Sequence, residues 1–255
     1  MRLRPMALPP FLILLFLLSC PRSSYSGEQK RFTSILSFGD SYADTATWSA
    51  DALGLPFVPP VLSRGQNFST GVNFAVAGAT ALNLTYLQGH NVTVVPPINS
   101  SLNDQLRWFE KLKPSGCFGE SLFIMGQFGG NDFLNMLIAS NMTLEQTGSF
   151  VPEIVNTISI GVERLIRHGA KYIVVADIVP VGCLPVTLAA QPSPNKGDYD
   201  RYGCLNSFNT GLSQYHNALL RRRIDVLRRR YPHTRVVFAE HYRAVVAFLQ
   251  DPDHF

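Results

Sequence analysis

Short runs of apolar and β-branched residues recur along the chain, and several of them are apolar at consecutive positions rather than at alternate ones. Such runs are typical of strands that are buried on both faces of a parallel sheet. Segments with the helical spacing of apolar residues lie between them. This alternation predicts an α/β fold with right-handed crossovers and a functional site at the carboxyl ends of the strands. The predicted strands cover residues 32–38, 72–76, 121–125, 172–176 and 235–238, and the main predicted helices cover residues 103–112, 150–168, 205–230 and 242–249.

Three of the predicted strands are followed by residues that suit acyl transfer. Ser41 comes behind Gly39 and Asp40 at the end of the first strand, which is how hydrolases expose a nucleophilic hydroxyl at a sheet edge. Gly78 can bring a bare backbone N–H close to a ligand, and Asn131, behind two glycines, can aim an amide N–H. Fixed donors of this kind stabilise the tetrahedral oxyanion of ester hydrolysis by roughly 3–4 kcal/mol each.

Each of these features also has a purely structural explanation. Gly-Asp-Ser is a common turn tripeptide, and Gly78 can serve a positive φ. Asn131 and Asp132 together can cap a helix. Their occurrence behind three different strands, in this order, favours the catalytic interpretation.

Four motifs in the chain resemble the plant GDSL esterase/lipase family, within the SGNH hydrolases. They are Phe-Gly-Asp-Ser-Tyr-Ala-Asp-Thr at 38–45, Asn-Phe-Ala-Val-Ala-Gly-Ala-Thr at 73–80, Gly-Gly-Asn-Asp-Phe at 129–133 and Val-Gly-Cys-Leu-Pro at 181–185. The resemblance implies a three-layer α/β/α, flavodoxin-like fold with a parallel sheet of about five strands. We therefore expect residues 27–255 to form a single hydrolase domain of this kind.

The same resemblance implies a function and assigns roles to three residues. It implies a serine hydrolase that acts on carboxylic esters, lipid or acylated carbohydrate, through an acyl-enzyme and without a metal or organic cofactor. Ser41 is then the nucleophile, and Gly78 and Asn131 contribute to the oxyanion hole. The sequence does not reveal which ester is the substrate, because the loops that decide this vary freely in such folds.

Two departures from the family pattern lead to further expectations. After Thr45 the chain passes directly into a predicted helix, where the family has tens of additional residues. The family's Asp-x-x-His block, which supplies the acid and the base of the triad, is expected beyond Phe255. We therefore expect an incomplete fold, truncated at its C-terminal end, and at best feeble activity, since loss of a triad base costs on the order of 10⁶ in kcat in a known case. Asp251 with His254, or His241 alone, are candidate substitutes. The alternatives are a catalytically inactive secreted binding protein and an unstable truncated product.

The N-terminal segment has the features of a secretory signal. Two arginines precede a short apolar core at residues 11–18, and small residues near Ser26 suit cleavage there, so residues 1–26 are predicted to be a signal peptide. The apolar core is shorter than the about 20 residues that a membrane span requires, and no transmembrane segment is expected. A net charge of +4 gives no reason to expect a nucleic-acid partner. We expect an extracellular protein of the apoplast or cell wall, with N-glycans at five sequons: Asn67, Asn83, Asn91, Asn99 and Asn141.

Three cysteines remain after the predicted cleavage, which leaves one of them without a partner in an oxidising compartment. We expect a disulfide between Cys183 and Cys204, which bracket a loop rich in proline and glycine. Cys117 is either a buried small apolar side chain or a thiol whose partner lies in sequence that this chain lacks.

Overall fold

The computed structural model describes residues 32–44, 50, 51, 53–112 and 118–254, the last without its side chain. The described residues belong to one compact unit that begins at Phe32. The predicted signal peptide and Cys117 lie outside the described residues, so the expectations about them stay predictions.

A five-stranded parallel sheet forms the centre of the unit, as the sequence predicts. Its strand order is β2-β1-β3-β4-β5. Since β2 and β3 flank β1 on opposite sides, the chain reverses its direction of winding next to β1. Ligands bind at such switch points, beyond the carboxyl ends of the strands. The strands are β1 (Ser34–Phe38), β2 (Gly71–Asn73), β3 (Ser121–Met125), β4 (Tyr172–Ala176) and β5 (Arg235–Ala239).

The helices between these strands pack on the sheet through their apolar faces. α5 shows the pattern most clearly, because Ile154, Ile158, Val162 and Leu165 recur at helical spacing and are buried. The helices are α1 (Leu84–Gly89), α2 (Leu102–Leu112), α3 (Gly130–Leu134), α4 (Leu144–Gly148), α5 (Val151–Arg167), α6 (Pro185–Ala190), α7 (Asn206–Phe208), α8 (Tyr215–Arg230) and α9 (His241–Gln250). Two π-helical segments continue or precede them, Asn135–Ala139 after α3 and Asn209–Gln214 before α8.

Apolar clusters cover both faces of the sheet. Leu36 and Phe38 of β1 belong to the large cluster, whereas Ile35 belongs to a second, smaller one. Successive side chains of a strand point to opposite faces, so the two clusters lie on opposite sides of the sheet. This arrangement is an α/β fold consistent with the SGNH hydrolases, and the predicted fold class is confirmed.

The proline-rich excursion after β4 is more ordered than the sequence suggests. It contains helix α6, although the sequence analysis treats residues 179–203 as a loop. Cys183 and Cys204 form a disulfide across it, with their Cα atoms 4.3 Å apart, which confirms the predicted pairing. The disulfide joins the two ends of the excursion, and within it the Cys204 carbonyl also accepts from the Asp200 N–H at 2.9 Å.

Within the described part of the chain, no helix combines the length and the apolar character that crossing a membrane requires.

Candidate active site

Ser41 lies in a tight turn at the carboxyl end of β1. The Asp40 carbonyl accepts from the N–H groups of Ala43 and Asp44, at 3.0 and 2.9 Å, and Ser41 at the start of this turn is exposed. Gly39 has φ +150°, and a Cβ there would lie 2.7 Å from the Ala43 Cβ. The turn therefore requires a glycine before Asp40, and it presents the serine hydroxyl to solvent.

Asn73, at the end of β2, holds this turn in place from the neighbouring strand. Its Nδ2 donates to the Ala43 carbonyl at 3.2 Å and also to the Asp44 carbonyl. In the other direction, the Asp44 carboxylate accepts from the Ala77 N–H at 3.1 Å. These bonds join the Ser41 turn to the segment that carries Gly78.

Gly78 and Ser41 each place a backbone N–H beside this junction. Gly78 has φ +82°, a conformation that glycine adopts at no steric cost. Neither its N–H nor that of Ser41 donates a hydrogen bond to any residue in the described ranges. The two groups are therefore donors without an acceptor inside this part of the protein.

Asn131 bridges the two segments from the start of α3. Its Nδ2 donates to the Ala79 carbonyl at 3.0 Å and to the Asp40 Oδ2 at 3.3 Å. Its partners are thus the residues adjacent in sequence to Gly78 and to Ser41. The structure brings the three predicted site residues together, and their catalytic roles stay predictions.

Asp132 holds the segment that continues from Gly78 through hydrogen bonds to its backbone, a role that the sequence analysis did not find. Its side chain is fully buried, and its two oxygens accept from the N–H groups of Ala81 and Leu82 at 2.8 and 3.0 Å. Burial raises its pKa to about 6, against backbone N–H bonds that lower it. The only available signal was its place beside Asn131, which suggested a helix cap.

Gln105 of α2 fixes the other side of the Ser41 turn, and the sequence analysis also missed it. Its side-chain amide accepts from the Gly39 N–H at 2.9 Å and donates to the Gly39 carbonyl at 2.8 Å. A further bond of 3.1 Å reaches the Ser100 carbonyl. The fully buried amide therefore satisfies the backbone of Gly39 as a neighbouring strand would.

Asp40, next to the serine, is a buried carboxyl group. Burial raises its pKa to about 7, although the Tyr42 N–H, which donates to Oδ1 at 3.0 Å, lowers it. The neighbouring Asp132 raises this pKa further by charge repulsion. At neutral pH the group beside Ser41 is thus divided between its protonated and its charged form.

The histidines of the described residues lie elsewhere, and none of them is hydrogen-bonded to Ser41. His241, at the start of α9, follows β5, and β3 and β4 separate that strand from β1. Its Nδ1 lies 2.9 Å from the Gln127 Nε2, and the Gln127 Oε1 accepts from Val179 N–H at 3.5 Å. The ring of His241 is thus paired through Nδ1 with the side-chain amide of Gln127. Partial burial lowers the pKa of His241 even though its side chain keeps an exposed face.

The other candidate pair is Asp251 with His254. Asp251 is exposed at the end of α9, and the side chain of residue 254 is outside the description.

His216 is buried directly beneath the Asn131 segment. A Cβ at Gly129 would lie 3.1 Å from its Nε2, and its ring stands edge-on to that of Phe133. Burial lowers its pKa to about 4, so it is neutral at physiological pH. It supports the segment by packing against Gly129 and Phe133. Across the described ranges, no group of three or more His, Cys, Asp or Glu side chains could hold a metal ion.

Comparisons with known proteins agree with this geometry. The profile of the GDSL-like lipase/acylhydrolase family matches residues 35–252. Among similar Arabidopsis thaliana proteins, GDSL esterase/lipase At1g28600 is 32% identical over 88% of this chain and 68% of its own length. GDSL esterase/lipase At5g03980 is 35% identical over 86% of this chain and 69% of its own length. GDSL esterase/lipase At5g45910 is 33% identical over 81% of this chain, which spans 59% of that relative.

A parallel α/β sheet with an exposed serine turn at its switch point defines a class of hydrolases. Within that class, the chain belongs to the GDSL-like lipase/acylhydrolase family, and by family it is a carboxylic ester hydrolase.

Proposed function

We propose that this chain is a secreted serine esterase that forms an acyl-enzyme on Ser41. One observation carries the proposal: an exposed serine lies in a turn next to two backbone N–H groups without an acceptor in the described part of the protein, and beside an asparagine amide. An ester carbonyl oxygen, negatively charged in the tetrahedral intermediate, is the ligand that such a group of donors fits.

In this mechanism the Ser41 hydroxyl oxygen attacks the ester carbonyl and gives up its proton to a base. The carbonyl oxygen becomes an oxyanion, which the N–H groups of Ser41 and Gly78 and the amide of Asn131 stabilise. Collapse of the intermediate expels the alcohol, which takes up the proton, and leaves the acyl group on Ser41. Water then attacks the acyl-enzyme through a second tetrahedral intermediate and releases the acid.

Asn131 has the geometry to serve as a donor without losing its orientation. Its bond to the Ala79 carbonyl, at 3.0 Å, fixes the amide plane, whereas the 3.3 Å bond to Asp40 is long. When Asp40 is protonated, exchange of the long bond for a charged oxyanion is favourable, because hydrogen bonds to a charged partner are about twice as strong as neutral ones. Protonated Asp40 competes less for this amide than its carboxylate does.

The mechanism requires a histidine base, and the proposal gives this role to none of the described residues. His241 pairs through Nδ1 with Gln127, and Gln127 lies just after β3 rather than in the Ser41 turn. The family resemblance predicts instead an Asp-x-x-His pair, and the match to that pattern in this chain is Asp251 with His254, whose side chain lies outside the description.

Two features support secretion and N-glycosylation. All five predicted sequon asparagines are exposed, which is a requirement for carrying a glycan. They are Asn67, Asn83, Asn91, Asn99 and Asn141. The Cys183–Cys204 disulfide favours an oxidising compartment.

Labelling with a fluorophosphonate probe tests the role of Ser41. The probe phosphorylates an activated serine irreversibly, so we expect the purified chain to be labelled and the Ser41→Ala variant to remain unlabelled. Ser207→Ala is the matched control, since Ser207 is an exposed serine of α7, and it should label as the wild type does. A chain that melts cooperatively but takes up no more probe than Ser41→Ala would contradict the proposal and favour a binding protein without catalysis.

A further inference from the structure

Residues 95–98, Val-Pro-Pro-Ile, form an exposed apolar loop beside the candidate active site. Val95 is 64% exposed and Ile98 is 41% exposed, so core packing accounts for neither side chain. Pro96 and Pro97 between them are exposed as well. Four consecutive exposed apolar residues on a secreted protein indicate a surface that meets a ligand.

One end of the 95–98 loop borders both proposed oxyanion donors. The Pro96 Cδ lies 3.8 Å from the position that a Cβ on Gly78 would take. The Val95 N–H donates to the Asn135 Oδ1 at 3.1 Å, and the Asn135 N–H in turn donates to the Asn131 carbonyl. Pro96 therefore lies on the side of Gly78 where a side chain would project, and the loop is anchored one helical turn from Asn131.

The other end of the loop is tied to the Ser41 turn. Ser100 follows the loop, and its carbonyl accepts from the Gln105 Nε2 at 3.1 Å. The same nitrogen donates to the carbonyl of Gly39, two residues before Ser41. With both ends anchored and two prolines restricting the backbone between them, the loop loses little conformational entropy when a ligand binds to it.

The opposite end of the site is polar. Gln127, Asp177 and His241 follow β3, β4 and β5, and all three make hydrogen bonds there. The leaving alcohol of an ester must receive a proton, which a polar environment can supply. The acyl part has no such need, because it carries only its chain beyond the carbonyl carbon, and an apolar surface next to Gly78 suits it.

We propose that the 95–98 loop is the acyl-chain subsite of the enzyme and that it selects esters of longer-chain aliphatic acids over acetate esters. The proposal rests on the esterase function proposed above. An aliphatic chain that extends from a carbonyl held at Gly78 reaches Pro96 first and then Val95 and Ile98. Its burial against these side chains stabilises the bound ester in proportion to the apolar area removed from water.

Hydrolysis of p-nitrophenyl octanoate and p-nitrophenyl acetate by the purified chain tests this selection. In the double variant Val95→Ser/Ile98→Ser, we expect the ratio of kcat/KM for octanoate to that for acetate to fall roughly tenfold, since the loop loses its two aliphatic side chains. The matched control is Ile160→Ser/Val226→Ser, which removes similarly exposed aliphatic side chains from α5 and α8 and should leave the ratio unchanged. A ratio in the Val95/Ile98 variant within about twofold of the wild type would overturn the subsite.

A binding measurement separates this inference from the esterase proposal. In the Ser41→Ala background, titration with sodium octanoate followed by NMR gives a Kd without any catalysis. We expect Val95→Ser/Ile98→Ser to raise that Kd about fivefold or more. An unchanged Kd would overturn the subsite even in an active esterase. A raised Kd in a chain whose Ser41 takes up no probe would support the subsite and reject only the esterase proposal.

Discussion

Asp132 holds two backbone N–H groups that lie fifty and fifty-one residues away along the chain. These groups, on Leu82 and Ala81, belong to the segment that continues from Gly78. Asn131, next to Asp132, donates to the Ala79 carbonyl of the same segment. Adjacent side chains thus bind one loop through opposite hydrogen-bonding groups, which explains why the sequence places an acid directly after the amide.

Replacement of Asp132 by asparagine tests this role at the scale of one residue. The asparagine amide keeps one acceptor oxygen, but its NH₂ group faces the second buried backbone N–H. Two donors then meet there, and neither has an acceptor. We expect the free energy of unfolding to fall by about 1–3 kcal/mol in urea denaturation and fluorophosphonate labelling to slow. Asp51→Asn, at an exposed position, is the control and should change neither. An Asp132→Asn variant with wild-type stability would show that the carboxylate is dispensable.

At the scale of elements, Gln105 makes the position of α2 part of the active site. Its amide satisfies both backbone groups of Gly39 at the end of β1 and also binds the Ser100 carbonyl just before α2. A helix that buries Leu102, Leu106 and Phe109 in the core therefore also sets the geometry of the Ser41 turn. Packing of α2 and exposure of the nucleophile depend on the same side chain.

Replacement of Gln105 by methionine separates packing from hydrogen bonding in this element. Methionine has a similar length but leaves the Gly39 N–H and the Ser100 carbonyl without partners in a buried site, and the Gly39 carbonyl keeps only the Val76 N–H. We expect a loss of about 2–4 kcal/mol in the free energy of unfolding and a slower fluorophosphonate reaction at Ser41. Gln88→Met on α1, where the side chain is exposed, should leave both unchanged. Equal stability of the two variants would mean that the clamp on Gly39 contributes nothing.

The elements were largely predictable from the sequence, and the bonds between them were not. β3 and β4 have the predicted bounds, because runs of buried apolar residues mark a central parallel strand by themselves. β2 ends at Asn73, three residues before its predicted end, where the Asn73 side chain accepts from the Ala75 N–H and bends the chain. Such a local bond leaves no trace in hydrophobic periodicity.

In the candidate site too, some residues could be predicted from the sequence and others could not. Ser41, Gly78 and Asn131 could be found because glycines and polar residues at strand ends mark turns. Asn73, Gln105 and Asp132 could not, since each acts on backbone groups 29 to 66 residues away in sequence. Long-range pairing of a side chain with a backbone group depends on the finished fold, whereas the turn residues depend on local conformation alone.

For the whole molecule, buried ionisable groups link stability to pH. Burial raises the pKa of Asp40 to about 7 and those of Asp132 and Asp177 to about 6. In the unfolded chain such carboxyls titrate near 3.9, so between about pH 4 and pH 7 the folded state binds more protons than the unfolded state. The free energy of unfolding then falls as pH rises through this window. His216 acts in the opposite sense, because burial lowers its pKa to about 4, and its contribution is lost as pH falls below about 6.5.

Asp40→Asn isolates the largest of these contributions, since asparagine does not titrate. Between pH 5 and pH 7 the free energy of unfolding of the wild type should fall by about 2–3 kcal/mol relative to that of the variant. The contribution of His216 is common to both proteins and cancels in this difference. The slope is the quantity to compare, because the amide introduced by Asp40→Asn also meets the Asn131 amide and shifts the absolute stability at every pH. Urea denaturation at half-unit pH steps measures both curves, with Asp51→Asn at an exposed position as control. Parallel curves for Asp40→Asn and the wild type would show that Asp40 titrates normally in the folded chain, and a slope of the opposite sign would show that the folded state favours its carboxylate.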